Sequence, residues 1–543
     1  MSKLHILPSD NITAADADTS AGQGQQSAAC CSSKSSVVAP QEAGSIRAED
    51  GFAGNVALVT LGCAKNQVDS EVMLGVLRGR GFRPVPDAAS ADLIVVNTCG
   101  FLRSAVEEGI DTILDMAKLK TTGRCRKLVV AGCMVERYRD ELKISMPEVD
   151  VFLSTDEILK VGDVTETTAE CFDTARRPYF LYDESMPRML AEGGLSAFVK
   201  VAEGCNRPCT FCIIPKIRGG FRSRAIDSVV REVELLRQSG IREVNLVAQD
   251  LTAYGTDFPG NRGIKSELPE LLKRLSELAP PDEQFWIRLL YAYPIGVTDE
   301  LIKQLLDLPH LCRYLDLPLQ HISHAVLKRM QRPLGERGTR ELIARIRAGA
   351  PLAALRTTFI VGFPGETEAD VDALEAFVAE GHFAHVGVFT YSQEPGTPAH
   401  ELEDQVDEAV KEQRRARVME AQQRIVSARN SSLIGTVLPV IIEGEHEETD
   451  LLLSARAEWQ APETDGGIII NEIDDAVLAA CGLSSEDSDY SLSKFGGTIG
   501  RVVITETAGY DLIGRLVSCS LERGAAVMPD ADTRLQTNDA VLG

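Results

Sequence analysis

The chain contains no apolar run approaching the roughly 18–20 residues that span a bilayer, so no membrane-spanning helix is expected. It has no charged leading region followed by an apolar core, so no secretory signal is expected either. Positive charge is scarce. There are 56 Lys and Arg against 80 Asp and Glu, a formal net charge of −24. A surface of that sign disfavours non-specific contact with nucleic acid and favours a basic protein partner. What is present is an ordinary soluble composition, 44% hydrophobic and 25% charged, in 543 residues, long enough for several domains. Thirteen cysteines and no signal predict a reducing, cytoplasmic setting, with thiols used for ligation rather than for disulfides.

Residues 1–52 are rich in Ser, Ala, Gln and Asp and have no hydrophobic period, which predicts a disordered extension. Cys30 and Cys31 lie there and read as incidental thiols. From residue 53 to 165 the pattern is strand–helix alternation with continuous apolar strands, the mark of a parallel sheet covered on both faces. VALVTLGC (56–63), DLIVVNTCG (92–100) and KLVVAGC (127–133) each end on a cysteine, namely Cys63, Cys99 and Cys133. In open α/β sheets the C-terminal strand ends form the ligand crevice, so the three thiols are expected to converge at one mouth as a second cluster site. Three buried core cysteines are the competing reading. Cys125 and Cys171 lack this placement and read as non-ligands.

Residues 166–195 are polar and then Pro/Arg-containing, as in a linker. About six β/α units follow over 196–432, too few for a closed eight-stranded barrel and suited to an open partial one. Residues 433–520 are short apolar strands with Gly and polar turns, which predicts a small five-stranded barrel with an acidic insertion at 472–495. Residues 433–520 together hold 16 Asp and Glu against 4 Lys and Arg, a balance of −12. Residues 521–543 read as a loose tail.

The second domain opens on EGCNRPCTFCIIPKIRGGFRSR (203–224), where Cys205, Cys209 and Cys212 stand in a C-x3-C-x2-C spacing. A zinc site would want a fourth Cys or His nearby, and the eight residues on either side of the triplet hold neither. An iron–sulfur cube on three thiolates keeps one iron open for a substrate or cofactor, which is a catalytic arrangement. A disulfide or a zinc knuckle is the bland alternative. Further candidates sit at strand ends: Gln249, Asp250, Tyr291, Tyr293, Gln320, His321, Gly362, Gly365, Glu366, Tyr391 and Ser392. Each alone is equally well read as a cap or turn residue. Arg218, Arg222 and Arg224 could hold carboxylates or form a solvated basic loop.

The triplet spacing, Phe211 before its last cysteine and the flanking EGC…IP..RG..RSR resemble the radical S-adenosylmethionine (SAM) enzymes, specifically the methylthiotransferase family. The resemblance runs from about Val56 to about Val517 and takes in GCAKNQVDSE (62–71), NTCGF (97–101), DLPLQH (316–321), TTFIVGFPGETE (357–368) and APETDG (461–466). It implies an α/β protein of three parts: an N-terminal parallel, Rossmann-like domain, a central partial (β/α)6 radical SAM barrel and a C-terminal TRAM-type β-barrel. It implies two 4Fe-4S clusters, on Cys205, Cys209 and Cys212 and on Cys63, Cys99 and Cys133, together with SAM. Phe211, Gln249, Gly362, Gly365 and Glu366 are the expected cofactor contacts, and Arg218, Tyr291, Gln320 and His321 the expected substrate contacts. GCAKN at 62–66, where the tRNA-modifying branch usually has GCQMN, resembles the branch that methylthiolates an aspartate of ribosomal protein S-twelve. The acidic C-terminal domain agrees, since a domain that meets RNA phosphates would be basic. The implied partners are that basic protein and an electron donor such as flavodoxin or ferredoxin, with no membrane and no direct tRNA binding. A tRNA methylthiotransferase, a two-cluster electron carrier and a zinc-stabilised scaffold are the rival readings.

Overall fold

The computed structural model describes residues 53–164, 181–190, 194–261, 263, 265–480 and 492–520. The expected extension (1–52), most of the expected linker, the expected tail (521–543), and Cys30, Cys31 and Cys171 lie outside the described residues.

The first unit is a five-stranded parallel sheet: β1 (Gly54–Thr60), β2 (Phe82–Pro84), β3 (Leu93–Thr98), β4 (Lys127–Gly132) and β5 (Val151–Leu153), in the order β2-β1-β3-β4-β5. Every residue of β3 is buried, as an apolar run covered on both faces requires. Helices α1 (Ala64–Gly79), α2 (Arg103–Thr122) and α3 (Cys133–Ser145) follow β1, β3 and β4. Cys63 is the residue just before α1, Cys99 directly follows β3, and Cys133 is the first residue of α3. The short β2 carries no pattern of its own in the sequence; its three residues pair with the start of β1.

The second unit contains a six-stranded parallel sheet of β6 (Ser196–Lys200), β9 (Glu243–Val247), β10 (Trp286–Leu289), β11 (Leu311–Asp316), β12 (Ala354–Val361) and β13 (His385–Thr390), neighbours in chain order. Between β6 and β9, the two-residue strands β7 (Ala202–Glu203) and β8 (Arg222–Ser223) pair antiparallel and pinch the loop that carries the cysteine triplet and the one-turn helix α4 (Ile214–Ile217). Helices α5 (Ile226–Gln238), α6 (Leu268–Ser276), α7 (Asp299–Asp307), α8 (His324–Arg329), α9 (Glu336–Gly349) and α10 (Glu368–Ala379) connect the strands. Val199, Val244, Leu246, Ile287, Leu289, Leu355 and Phe359 pack against these helices in one core. On the opposite strand face, Phe198, Val247, Leu290, Cys312, Tyr314 and Ala354 form a second core. Val68 and Val72 of α1 enter that core from the first unit, and Ala461 enters it from the third.

The 25-residue helix α11 (Glu408–Ser432) leads to a closed barrel of β14 (Val437–His446), β15 (Thr449–Ala457), β16 (Ile468–Ile473), β17 (Thr498–Ala508) and β18 (Asp511–Ser520), in the order β14-β15-β16-β18-β17. Part of the segment read as an acidic insertion belongs to this barrel. Ile473 ends β16, Val477 and Leu478 of α12 (Asp475–Ala480) pack into the barrel core, and Phe495 is fully buried there. Their apolar spacing was masked by the surrounding acidic residues.

A buried ionic staple joins the second and third units. Glu243, at the start of β9, receives the Arg288 guanidinium at 2.7 Å and the Arg456 guanidinium of β15 at 2.6 Å, all three buried. Burial alone would raise the Glu243 pKa. Arg456 and Arg288 outweigh that effect and hold it down at about 2, from the usual 4.5. A carboxylate depressed in this way adds stability above pH about 4.5, and that stability is lost as the pH falls toward 2. Glu243→Gln leaves the buried Arg288 guanidinium without its counter-charge and Arg456 with Glu443 alone, and is expected to destabilise the fold by roughly 3–5 kcal/mol. Thermal melts between pH 4 and 8 check this: the gap between variant and parent should stay constant from pH 8 to 5 and narrow below about 4.5.

Candidate functional site

Two groups of three cysteines stand at adjoining strand ends. In the second unit, the β7–β8 pinch folds the triplet loop back on itself. The Cys205 amide donates to the Gly219 carbonyl at 3.1 Å and the Cys212 amide to the Cys209 carbonyl at 3.2 Å. The Arg207 amide lies 3.4 Å from the Cys205 sulfur, and the Arg332 guanidinium 3.7 Å from the Cys209 sulfur. Burial pushes the Cys212 thiol up to about 12, and its neighbours Cys209 and Cys205 add to the shift.

In the first unit Cys63, Cys99 and Cys133 each stand at the C-terminal end of a strand, after β1, β3 and β4. A Cβ on Gly62 would stand 2.8 Å from the Cys99 Cβ, and one on Gly100 would stand 2.6 Å from the Cys133 carbonyl oxygen, so glycine at each lets the loops close on one another. Cys133 is buried, and burial raises its thiol to about 12, with Cys63 and Cys99 adding to the rise. Cys63 is exposed and Cys99 half-buried, so the group opens to one side. Ligation by a buried thiol such as Cys133 would be coupled to release of its proton. Among the described residues no three His, Cys, Asp or Glu side chains crowd closely enough to hold a single metal ion. A 4Fe-4S cube takes its thiolates at separate corners, and the triplet, with no further Cys or His within eight residues on either side, suits a cube better than zinc.

The two groups are tied together by Arg218, six residues beyond Cys212. Its side chain is buried, and Nε donates to the Cys133 sulfur at 3.2 Å. Its other nitrogens donate to Asn66 Oδ1 at 2.5 Å, to Asp69 at 2.9 Å and to Glu203 at 3.3 Å. Lys200 completes the cluster, 2.5 Å from Asp69 and 2.8 Å from Glu203. Burial alone would raise the Glu203 carboxyl, but Lys200 and Arg218 hold it well below the usual range. Two cations and two carboxylates, all buried, thus balance between α1 and the triplet loop. Cys133 also packs on Ile213 and Ile217, next to the last cysteine of the triplet. A second tie lies nearby: Glu394 accepts from the Arg137 guanidinium at 2.9 Å and from the Arg103 amide at 2.7 Å, joining α2 and α3 to the loop after β13.

Two side chains near the mouth sit on strained backbone. Tyr291 after β10 and Gln320 after β11 have φ of 65° and 77°. Such non-glycine positions cost about 1–3 kcal/mol each and persist only where their surroundings over-determine them. The Tyr291 amide donates to Asp316 Oδ2 at 2.9 Å, its carbonyl accepts from Leu251 at 3.1 Å, and the Lys65 ammonium stands 3.0 Å from the centre of its ring. Gln320 is pinned on both sides, its amide to the Thr358 carbonyl and its carbonyl to the Ile360 amide, each at 2.8 Å. Tyr293 is sandwiched between the guanidiniums of Arg207 and Arg332, 4.1 and 4.2 Å from the ring centre, and Arg207 is held by Asp250 at 2.6 Å. Gln249 donates to Glu203 at 2.8 Å, while its Oε1 is buried with no partner among the described residues. That oxygen is an acceptor waiting for a donor, as an amino-bearing cofactor would supply.

Other expected contacts are engaged with the protein itself. His321 Nε2 pairs with Glu366 at 3.0 Å, and both are fully buried. Glu366 also accepts from the Gly362 amide at 2.6 Å and from Arg414 at 2.8 Å. A Cβ on Gly362 would run into Lys411, and one on Gly365 into Arg329, so the space beside both glycines is filled by protein. Phe211 packs on the apolar cluster of Met330, Phe363 and Tyr391. Lys65, Asn66 and Asp69 were not anticipated as site residues. Their one sequence signal is the polar run AKNQVD opening a helix that must also supply Val68 and Val72 to a core.

The chain matches three family models: Uncharacterized protein family UPF0004 over residues 55–154, the Radical SAM superfamily over 199–378 and the TRAM domain over 434–517. The middle model brings with it a 4Fe-4S cluster and SAM. Among solved structures, the radical S-adenosylmethionine methyltransferase TsrM from Kitasatospora setae matches with a TM-score of 0.47 and 18% identity, covering 64% of this chain and 76% of that one. Among curated proteins, the ribosomal protein uS12 methylthiotransferase RimO of Geobacter sulfurreducens is 46% identical over 466 residues, 85% of this chain and 98% of the relative. Its counterparts from Syntrophotalea carbinolica and Anaeromyxobacter sp. are each 46% identical, over 98% and 97% of their lengths. With cysteine groups at two adjoining strand mouths, three matched domains in this order and that identity over nearly whole relatives, the chain belongs to the ribosomal protein uS12 methylthiotransferase RimO family.

Proposed function

We propose that this chain is a radical SAM methylthiotransferase that places a methylthio group on the β-carbon of an aspartate in ribosomal protein uS12. The observation that carries this reading is Arg218, one buried side chain that reaches from the triplet loop to the Cys133 sulfur and to Asn66 of the first unit. An unactivated C–H bond is beyond acid–base chemistry. When bound, a 4Fe-4S cluster at Cys205, Cys209 and Cys212 supplies the electron for SAM cleavage, and a second cluster at Cys63, Cys99 and Cys133 supplies the site of sulfur delivery.

The protein's own part is positioning. Gln249 Oε1 accepts from the SAM amino group, and Phe211 walls the site. Glu366 holds the cofactor loop through the Gly362 amide and Arg414, while Gly362 and Gly365 leave room for Lys411 and Arg329 to pack against it. Tyr291 and Gln320 present strained, rigidly held groups to the substrate, and His321 fixes the loop behind Gln320. Arg218 acts by fixing the spacing of the two thiol groups. The acidic C-terminal barrel, with Glu443, Glu445, Asp450 and Glu472, suits a basic substrate protein. Flavodoxin or ferredoxin is the fitting reductant, and the cytoplasm the fitting compartment; no helix of the described residues is long and apolar enough to cross a membrane.

The test is mass spectrometry of uS12 and of tRNA from a strain lacking the chain, before and after complementation. The proposed activity predicts that the uS12 aspartate loses and regains a methylthio group while tRNA is unchanged. A change confined to a tRNA adenosine overturns it.

A further inference from the structure

The C-terminal barrel does more than append an acidic surface. The loop after β15, Glu458–Gly466, reaches into the face of the six-stranded sheet that also receives α1. Asp465 is its innermost charge, with a side chain only 1% exposed. It accepts from the Tyr314 hydroxyl at 2.8 Å and from the Ala461 amide at 2.9 Å, and it lies 3.3 Å from Arg356 and 3.5 Å from His385. Arg356 sits on β12 in register with Asp316 on one side and His385 on the other. It donates to Asp316 Oδ1 at 2.9 Å, and the other oxygen of that carboxylate takes the amide of Tyr291 at 2.9 Å. Negative, positive and negative groups therefore alternate from the C-terminal barrel to the strained residue whose ring meets Lys65, two residues beyond Cys63.

We propose that Asp465 is a positioning residue for the methylthio transfer: through Arg356 and Asp316 it fixes the left-handed backbone of Tyr291, and with it the placement of the substrate between the two cysteine groups. The proposal rests on the reading of Tyr291 as a substrate contact. A carboxylate that holds Arg356 from behind keeps Asp316 aimed at one amide; without it, Arg356 is free to swing and the turn at Tyr291 loses its anchor. Misplacement of a substrate carbon by about 1 Å costs up to about 100-fold in productive reaction. SAM cleavage needs only the other end of the site and proceeds regardless, so the loss appears as uncoupling.

The experiment measures 5′-deoxyadenosine and methylthiolated uS12 peptide together, with the full chain carrying its reconstituted clusters. Asp465→Asn is expected to cut product per 5′-deoxyadenosine roughly ten- to hundredfold at unchanged iron content and SAM cleavage rate, with Asp465→Glu restoring part of the coupling. Should Asp465→Asn fail to fold, the isosteric Tyr314→Phe removes one hydrogen bond from Asp465 and is expected to uncouple in the same direction by a few-fold. Unchanged coupling in Asp465→Asn, or in Tyr314→Phe where that variant carries the test, overturns the proposal, as does a parallel fall of both products. Tyr291→Ala separates the two claims. If Tyr291→Ala uncouples and Asp465→Asn does not, the relay is wrong; if neither uncouples, Tyr291 is not a substrate contact.

Discussion

Replacing Cys205, Cys209 and Cys212 together with alanine is expected to abolish reductive SAM cleavage, while replacing Cys63, Cys99 and Cys133 is expected to spare cleavage and abolish the methylthiolated product. The asymmetry follows from the two surroundings. The triplet loop is closed by its own hydrogen bonds and by the β7–β8 pair, and its neighbours Arg207 and Arg332 belong to the same unit. It does not need the first unit's thiols to hold its shape. Iron content is expected to fall from roughly eight to roughly four per chain in either triple variant, with four remaining on the untouched group. The assay follows 5′-deoxyadenosine by chromatography and the peptide by mass. Persistent SAM cleavage in the Cys205, Cys209 and Cys212 variant removes the assignment of the catalytic cluster. A parent protein that never exceeds about four irons removes the second one.

The next largest effect is expected at Arg218. Arg218→Met leaves Asp69 and Glu203, both buried, with Lys200 as their shared ion-pair partner, and it strips the Cys133 sulfur of the Arg218 donor. Removing one member of a buried ionic group costs roughly 3–5 kcal/mol because the remaining charge is left uncompensated. Much of that cost falls on the docking of α1 against the triplet loop. Product formation is expected to fall by at least about 100-fold, with SAM cleavage reduced less. Arg218→Lys keeps the charge but not the planar fork that serves Asn66, Asp69 and Cys133 at once, and its expected loss is nearly as large. Arg218→Met with full product formation at parental melting temperature contradicts the role of Arg218 as a tie.

The parts of this site that were legible in the sequence are those whose cause is local. The cysteine triplet lies within one loop. The strand-end cysteines were legible because Leu93–Thr98 and Lys127–Gly132 are apolar runs whose ends can be counted. The five strands of the C-terminal barrel were legible for the same reason. The partnerships were not. Nothing near Arg218 announces Asp69, 149 residues away, and nothing near Arg356 announces Asp465. His321 and Glu366 lie in the loops beyond β11 and β12, and their mutual burial depends on how those loops meet. The side chains that pack beside Gly362 and Gly365 come from α11 and α8, far along the chain in one case and on a separate helix in the other. Buried charges recognise one another across the fold, and a sequence pattern records only that each is there.

The account depends above all on a single chamber shared by both cysteine groups. The most direct measurement uses a uS12 peptide whose target aspartate carries deuterium at Cβ, turned over by the reconstituted full chain. The account predicts deuterium in 5′-deoxyadenosine, in step with methylthiolated peptide, and deuterium transfer without product when Cys63, Cys99 and Cys133 are replaced. Methylthiolated peptide formed beside deuterium-free 5′-deoxyadenosine would contradict it.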